Sequence, residues 1–439
     1  MTDDRAKIGL WTATFMVIAN MVGTGVFTSL GFQVVDIKSG FGIELLWVLG
    51  GVAALCGALT YGELGTALPR SGGEYHLLSR IVHPLLGFLS GWVSATVGFA
   101  APTALAAIAF AKYLSAVVSG IHVVHTAAAV VLLFTALHCW SIVWGNRFNN
   151  ILTSLKVLLL LVFIVSAFGV PAAQDVTPWP RAGDFELVLT PAFAVSLVYV
   201  AFAYTGWNAA IYIVGEMKDP SRDLPRALFV GTIVVLVLYA LVNYAFMHTV
   251  PFEVLEGQIE VGYLSATSIF GDRGGRLMSV VIALILTSTI SVMIFVGPRI
   301  VQVMGEDFPL LRKLSIRNAK GIPVHAVVVQ SLITLTYIYT ATFEQVLLYA
   351  GFTLNLITAA TVAAIFVLRR REPHIERPYR TWGYPWTPIL FLALSAWSLT
   401  FMMVDRPKES LAGLLTLSAG LVVYFADYAR NRWLVAAKS

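Results

Sequence analysis

The chain has 439 residues, of which 58% are hydrophobic and 12% are charged, and its mean hydropathy is +0.80. A soluble globular domain carries about twice that charged fraction. The composition therefore excludes a soluble enzyme or a soluble binding domain and indicates a protein with several membrane spans. The net charge of +5 reflects Lys and Arg placed at the membrane surface and is not evidence of nucleic-acid binding.

Apolar stretches of about 20 residues, the length that crosses a bilayer as a helix, recur along the whole sequence. They predict twelve transmembrane helices, near residues 8–36, 43–67, 84–116, 123–143, 150–170, 190–214, 225–248, 277–304, 323–341, 345–368, 384–404 and 410–429. The stretches between them are too short for an independent core. We therefore expect one transmembrane domain over residues 1–439 and no cleaved signal peptide.

Lys and Arg are distributed unequally over the predicted loops. With the N-terminus inside, 21 of the 29 Lys and Arg residues fall in inner regions and 7 in outer loops. Positively charged residues are retained on the cytoplasmic side of a membrane. This bias predicts a multi-pass protein of the inner (plasma) membrane with both termini in the cytoplasm.

The first predicted helix is interrupted by Gly23-Thr24-Gly25. Glycine costs about 1 kcal/mol per helix position relative to alanine, so two glycines around a hydroxyl residue favour unwinding. The half-helix after the break presents free N–H groups and a positive dipole end, which suit a carboxylate. The half-helix before it ends in free carbonyls, which suit an ammonium group. The alternative is close helix packing through small residues.

Lys156 is the only Lys or Arg well inside a predicted span. It lies about 9 Å from the inner boundary at 1.5 Å per residue, and a lysine stem can carry its ammonium much of that distance to water. Alternatively the ammonium points into the bundle. There it would stand in the place of a sodium ion or carry a coupling proton, near helix 1 carbonyls and hydroxyls such as Ser288 or Ser291. Periodicity leaves both interpretations open.

A second interruption is predicted at residues 202–208, about five hydrophobic segments after the first. Two glycine-interrupted spans in corresponding positions of two halves indicate the binding site of a transporter. Trp207 and Phe202 are candidates for the lid and wall of that site. Asn208 is a candidate for orienting the substrate through its amide.

Several kinds of chemistry have no signal in the sequence. No Asp or Glu lies near the middle of a predicted span, so a cationic substrate side chain has no partner beyond cation–π contact with Trp207. Neutral cargo is therefore favoured. The motifs GxxxxGK[ST], CxxC and HExxH are absent, and His138 and His248 are interpreted as hydrogen-bonded structural groups. We expect neither an enzyme nor a bound metal or cofactor.

Several motifs, spread over most of the chain, resemble those of the amino acid–polyamine–organocation superfamily, closest to its L-amino acid transporter branch. They lie at residues 23–27, 61–65, 69–75, 202–208, 216–220, 224–227 and 377–380. The resemblance implies a LeuT-like all-α fold with broken helices 1 and 6. In that fold an inverted repeat relates residues 8–170 to residues 190–368, and two further helices follow at residues 384–429.

The resemblance also implies amino acid transport by alternating access. The residues that it assigns to the substrate site are Met21, Gly23, Thr24, Gly25, Phe202, Ala203, Thr205, Trp207 and Asn208. The Thr24 side chain and the amides of Thr24 and Gly25 are expected at the substrate carboxylate. The carbonyls of Met21, Phe202 and Thr205 are expected at the amine. Trp207 and Asn208 are expected to shape the side-chain pocket.

The resemblance assigns roles outside that pocket as well. Lys156 matches a lysine that stands in place of sodium in several members of the superfamily. Thr205 is a departure, because many L-amino acid transporters have glycine or aspartate there, and its hydroxyl and methyl would narrow the pocket. The signature from Glu63 to Tyr75 is expected to serve inner-loop architecture and gating, not substrate contact.

These observations favour a sodium-independent transporter of neutral L-amino acids, either an exchanger or a proton symporter. A second hypothesis is an antiporter of a cationic amino acid and its decarboxylated amine. A third is a transporter-like amino acid sensor, against which the short ends of about ten residues argue. The expected partners are the amino acid, a proton in the symport case and the lipid bilayer, with no nucleic acid and no obligate protein partner.

Overall fold

The structure is a computed structural model that describes the backbone of residues 8–140 and 146–436 and the side chains of residues 8–140 and 156–430. In chain order the helices are α1 (Leu10–Met21), α2 (Thr24–Gln33), α3 (Gly40–Ala67), α4 (Gly73–Ile81), α5 (Pro84–Val93), α6 (Ala100–Ser115), α7 (Val123–Trp140), α8 (Asn146–Ala167), α9 (Asp184–Val188), α10 (Pro191–Ala203), α11 (Pro220–Thr249), α12 (Phe252–Leu255), α13 (Val261–Asp307), α14 (Val324–Thr340), α15 (Phe343–Arg371), α16 (Trp386–Asp405) and α17 (Pro407–Ala436). Short 3-10 segments follow α10 and α13, at Ala209–Glu216 and Pro309–Ser315.

The fold is an all-helical multi-pass membrane protein. Within the described residues, nine helical stretches are long and apolar enough to cross a membrane. Shorter apolar helices occur at Lys156–Ala167, Pro191–Ala203 and Val324–Thr340, where the sequence also predicts spans. The predicted cytoplasmic termini include residues 1–7 and 437–439, which lie outside the described residues.

Two of the long helical stretches are locally distorted. α5 and α6 are joined by a π-helical turn, Ser94–Gly98. α13 bends at Gly271, where φ is 71°, a left-handed conformation that glycine adopts without a Cβ clash. The helix predicted at residues 277–304 therefore lies beyond this bend and belongs to a longer helical stretch.

The core is built on α11, which packs against α3 and α1, and on α13, which packs against α6. Small residues permit these close approaches, as expected where lipid leaves little hydrophobic drive between helices. A Cβ added to Gly231 of α11 would lie 2.6 Å from a methyl of Val17 on α1. A larger residue at Gly231 would therefore force the two helices apart.

The interrupted helices lie beside each other in the interior. α2 contacts α10, and α1 contacts the 3-10 segment that follows α10. A hydrogen bond from the Ile8 N–H to the Glu216 carbonyl, 2.9 Å, joins the start of the described chain to the end of that segment. The first and sixth predicted spans thus pair along both of their halves.

Candidate functional site

The first helix break separates α1 from α2 by two residues. Val22 leaves helical geometry with ψ of 87°, and Gly23 is extended. α2 begins at Thr24, and its N-cap, Gly23, has no side chain to accept the first-turn N–H groups. Such a helix N-terminus combines unpaired donors with a positive dipole end, which suits a carboxylate.

The second break follows α10, which ends at Ala203. Gly206 has φ of 101°, and a Cβ there would lie 2.7 Å from the carbonyl oxygen of Asn20. The break therefore requires glycine both for its backbone conformation and for its approach to helix 1. The Thr205 hydroxyl donates to the Phe202 carbonyl at 2.7 Å, so this departure from the family pattern caps the end of α10.

The two breaks are packed together. A Cβ added to Gly25 would lie 2.6 Å from the Cα of Ala203. The hydroxyl of Tyr239, on α11, donates to the carbonyl oxygens of Met21 at 2.6 Å and Ala203 at 3.2 Å. Tyr239 thus joins the last carbonyls of both half-helices, and it was missed by the sequence analysis because one tyrosine in an apolar helix has no local signal.

Trp207 lies within the second break. Its ring packs edge-to-face against the ring of Tyr61, with 4.7 Å between the two ring centroids. Together with Phe202 and Thr205 it lines a cavity that α3, α15 and α16 complete. Among the described residues that line this cavity, none comes from the first break. Asn355 of α15 also lines it, and a lone amide in an apolar span is the signal that could have identified this residue.

Lys156 lies inside the helix bundle. Its side chain is 4% exposed, and its ammonium donates to the Thr289 hydroxyl at 3.2 Å. Thr289 follows Ser288 on α13, whereas the Ser291 hydroxyl is hydrogen-bonded to the His138 ring at 2.9 Å. The ammonium therefore points toward α13 and does not extend to the inner boundary, while its coupling role stays a prediction.

The signature that follows α3 contributes a carboxyl group to this region. The Asn208 amide N–H donates to Glu74 Oε1 at 3.1 Å, and the Tyr61 hydroxyl donates to the same oxygen at 2.6 Å. The sequence analysis separated this signature from the substrate site. In the structure its Glu74 directly contacts Asn208, one of the predicted site residues.

The same signature also supplies a clamp between helix ends. Glu63, fully buried at the end of α3, accepts hydrogen bonds from Arg369 at 2.9 and 2.6 Å and from the Thr381 N–H at 2.7 Å. Arg377 Nε lies 3.5 Å from Glu63 Oε1. The clamp therefore fastens the segment after α15 to α3.

The chain as a whole matches a known protein family. A family profile described as amino acid permease matches residues 8–425, which is nearly the whole chain. The chain belongs to the amino acid permease family. This permease is consequently an amino acid transporter of the amino acid–polyamine–organocation superfamily and not an enzyme.

Individual relatives span the permease almost completely. It is 28% identical over 439 residues to the b(0,+)-type amino acid transporter 1 of Mus musculus, covering 97% of this chain and 88% of the relative. It is 28% identical over 434 residues to the human large neutral amino acids transporter small subunit 2, covering 96% and 80%. The Asc-type amino acid transporter 1 of Rattus norvegicus is 28% identical over 447 residues, covering 96% and 81%.

Proposed function

We propose that this permease is a sodium-independent secondary transporter of neutral L-amino acids that works by alternating access. The observation that carries the proposal is the contact between the two helix breaks, in which α2 begins and α1 and α10 end within one small region. Unwound backbone at membrane depth is tolerated where it lines a site.

The backbone of these breaks offers groups for both ends of a zwitterion. The N–H groups of Thr24 and Gly25 open α2 and would bind the carboxylate, helped by the positive end of the helix dipole. The carbonyls of Met21, Phe202 and Thr205 would receive the ammonium group. Tyr239 already donates to the Met21 carbonyl, whose oxygen has a second lone pair for the substrate. The Phe202 carbonyl already accepts from the hydroxyl and the N–H of Thr205, so the ammonium group would have to displace one of these bonds there.

Lys156 supports the absence of a sodium requirement. Its buried ammonium brings a fixed positive charge between α8 and α13, beside the hydroxyl of Thr289. A bound sodium ion would supply the same charge to such oxygen ligands. A covalently attached charge holds the helices without an ion gradient, which is compatible with exchange or with proton symport through Lys156.

Neutral cargo is supported by the groups around the second break and by the name of one relative, the large neutral amino acids transporter small subunit 2. The alternative, an antiporter of a cationic amino acid and its amine, is favoured by one observation, the carboxyl of Glu74 beside Asn208. We rank it second because protein donors already occupy that carboxyl.

The proposal includes twelve transmembrane helices in a five-plus-five inverted repeat with two appended helices. In this proposal, helices α1 to α8 form the first repeat and helices α10 to α15 form the second repeat. Helices α16 and α17 are the two appended helices. The excess of Lys and Arg on one side supports cytoplasmic termini in an inner (plasma) membrane. On this orientation the Glu63 clamp lies on the cytoplasmic side.

The decisive experiment measures uptake of a radiolabelled amino acid panel into sodium-free proteoliposomes, with and without internal amino acid, at two external pH values. We expect uptake of neutral members without sodium. Uptake that needs internal substrate would identify an exchanger. Uptake into empty vesicles that rises at acid pH would identify proton symport. Uptake restricted to cationic members, or dependent on sodium, would contradict the proposal.

A further inference from the structure

Glu74 is a buried carboxyl at the start of α4, and its side chain is 7% exposed. Two glycines bring it there, since Gly72 and Gly73 have φ of 134° and 56°. A Cβ added to Gly73 would lie 2.2 Å from the ring of Tyr212, in the 3-10 segment after the second break. The start of α4 is thus held directly against the interrupted helix.

The groups that face Glu74 come from three other elements and are hydrogen-bond donors. Tyr61 of α3 and Asn208 both donate to Oε1, and Thr358 of α15 bonds the carboxyl as well. Tyr212 is the other titratable group beside it. Among the described residues, no Lys or Arg forms an ion pair with Glu74.

This environment shifts the ionisation of Glu74. Burial raises the pKa of its carboxyl, and the hydrogen bonds from Tyr61, Asn208 and Thr358 oppose that rise without cancelling it. Glu74 is thus ionised at high pH and takes up a proton at a higher pH than an exposed glutamate does. The proton would bind Oε2, since both short hydrogen bonds reach Oε1.

We propose that Glu74 is a positioning residue that sets the hydrogen-bonding polarity of Asn208 in the substrate site. A carboxylate only accepts hydrogen bonds, so the N–H end of the Asn208 amide faces Glu74 and its Oδ1 faces away. Oδ1 is then presented to a hydrogen-bond donor on the substrate. This rests on the proposed function and on the prediction that Asn208 shapes the side-chain pocket of its substrate site.

Protonation of Glu74 at Oε2 weakens that constraint. A carboxylic acid can donate as well as accept, and its remaining acceptor oxygen lacks the charge that strengthens the bond from Asn208. The amide can then present either end to the substrate. Substrate affinity should therefore fall as the pH is lowered through the titration of Glu74.

The first test compares the wild type with Glu74→Gln, using equilibrium binding of a radiolabelled neutral amino acid to purified protein across a pH series. Glutamine keeps an oxygen for Tyr61 and Asn208 but does not titrate. We expect the Kd of the wild type to rise at least fivefold at acid pH and the Kd of Glu74→Gln to stay flat. If the Kd of both proteins rises equally at acid pH, the proposal is overturned.

The second test exchanges donor and acceptor. Asn208→Asp places two carboxyls side by side and should raise the Kd at least tenfold. When Glu74→Gln is added, the new amide at position 74 can donate to the new carboxylate at position 208, and that carboxylate still presents an oxygen to the substrate. The double variant should therefore recover most of the lost affinity. A double variant as weak as Asn208→Asp would show that the substrate needs the N–H end, contrary to the proposal.

A matched variant separates positioning from simple anchoring of α4. The Tyr75 hydroxyl donates to Asp307 at 2.5 Å, so Tyr75→Phe removes a tether of the same helix without touching Glu74 or Asn208. We expect Tyr75→Phe to leave the Kd and its pH profile unchanged. If Tyr75→Phe itself raises the Kd or changes its pH profile, loosening of α4 is sufficient to alter binding and the proposal fails.

An infrared titration without substrate keeps this inference distinct from the proposed function. A protonated carboxyl band should appear on acidification of the wild type and be missing in Glu74→Gln, and a spectrum without that difference would refute the ionisation of Glu74. If the wild type shows this band but binds no neutral amino acid, the proposed function fails instead, and the substrate role of Glu74 fails with it.

Discussion

Lys156 is a buried cation with a hydrogen-bond partner on another helix. An ammonium that is 4% exposed and bonded to Thr289 needs oxygen partners, because an isolated buried charge is costly. α13 supplies that partner from a helix distant in sequence. The charge therefore contributes to the contact between α8 and α13 as well as to the proposed sodium independence.

Replacing Lys156 by alanine should abolish uptake or reduce it severely while the protein stays folded. The reason is that the interface of α8 and α13 loses its positive charge and a hydrogen bond. Uptake in proteoliposomes measures the effect, and size-exclusion chromatography checks the fold. Lys408→Ala, at an exposed lysine, is the control and should transport normally. Uptake by Lys156→Ala at the wild-type rate would mean that the ammonium has no part in transport.

Replacing Thr24 by valine keeps the shape of the side chain and removes its hydroxyl. If that hydroxyl donates to the substrate carboxylate, its loss costs about 1–3 kcal/mol, roughly a fivefold to hundredfold rise in Kd. Thr24→Ser, which keeps the hydroxyl, should bind nearly as well as the wild type. Equal affinities for the valine variant and the wild type would remove the Thr24 side chain from the site.

At the scale of elements, the two interrupted helices act as one unit. Gly25 meets Ala203, Gly206 meets Asn20, and Tyr239 bonds the ends of α1 and α10. Each contact involves backbone on at least one side. These contacts therefore hold the two breaks, one in each half of the proposed repeat, directly against each other.

Gly206→Ala should damage both stability and uptake. Alanine at φ of 101° is strained, at a cost of about 1–3 kcal/mol, and its Cβ would lie 2.7 Å from the Asn20 carbonyl. Gly183→Ala is the matched control, because Gly183 has φ of 91° and no atom within 4 Å of an added Cβ. Thermal unfolding in detergent and uptake should show a larger loss for Gly206→Ala. Equal losses in the two variants would mean that the contact with helix 1 is unimportant.

At the scale of the whole molecule, the Glu63 clamp joins segments more than three hundred positions apart in the sequence. The Glu63 carboxylate accepts three hydrogen bonds and has two arginines nearby. Its negative charge is therefore compensated although Glu63 is fully buried. A buried pair of this kind is costly to break because it leaves an uncompensated charge.

Glu63→Gln should lower the melting temperature of the purified protein. We expect a loss of about 1–3 kcal/mol, less than the 3–5 kcal/mol of a fully buried pair, because Arg369 is 25% exposed. Glu372→Gln is the control, since the side chains of the Arg80–Glu372 pair are 48% and 31% exposed and pairs so accessible to solvent contribute little. Equal melting temperatures for the two variants would mean that the clamp adds no stability.

From the sequence alone we predict the membrane class, the approximate positions of the long apolar helices and both breaks, and the structure agrees on these points. Hydropathy over about 20 residues is a local property, and glycines that weaken a helix act within one turn. For that reason the sequence alone predicts the helix interruptions at residues 23–25 and 202–208. The motif resemblance was sufficient to predict the family, and the match over residues 8–425 confirmed it.

Contacts between groups that are distant in the sequence appear only once the helices are packed. Periodicity could not show whether Lys156 turns inward, because both orientations lie within reach of a lysine stem. The pairing of Glu74 with Asn208, and the bond from Tyr239 to both breaks, join residues from separate helices. Such contacts depend on how the helices pack, and helix packing in lipid is set by shape and hydrogen bonding over the whole bundle, which no local pattern of residues records.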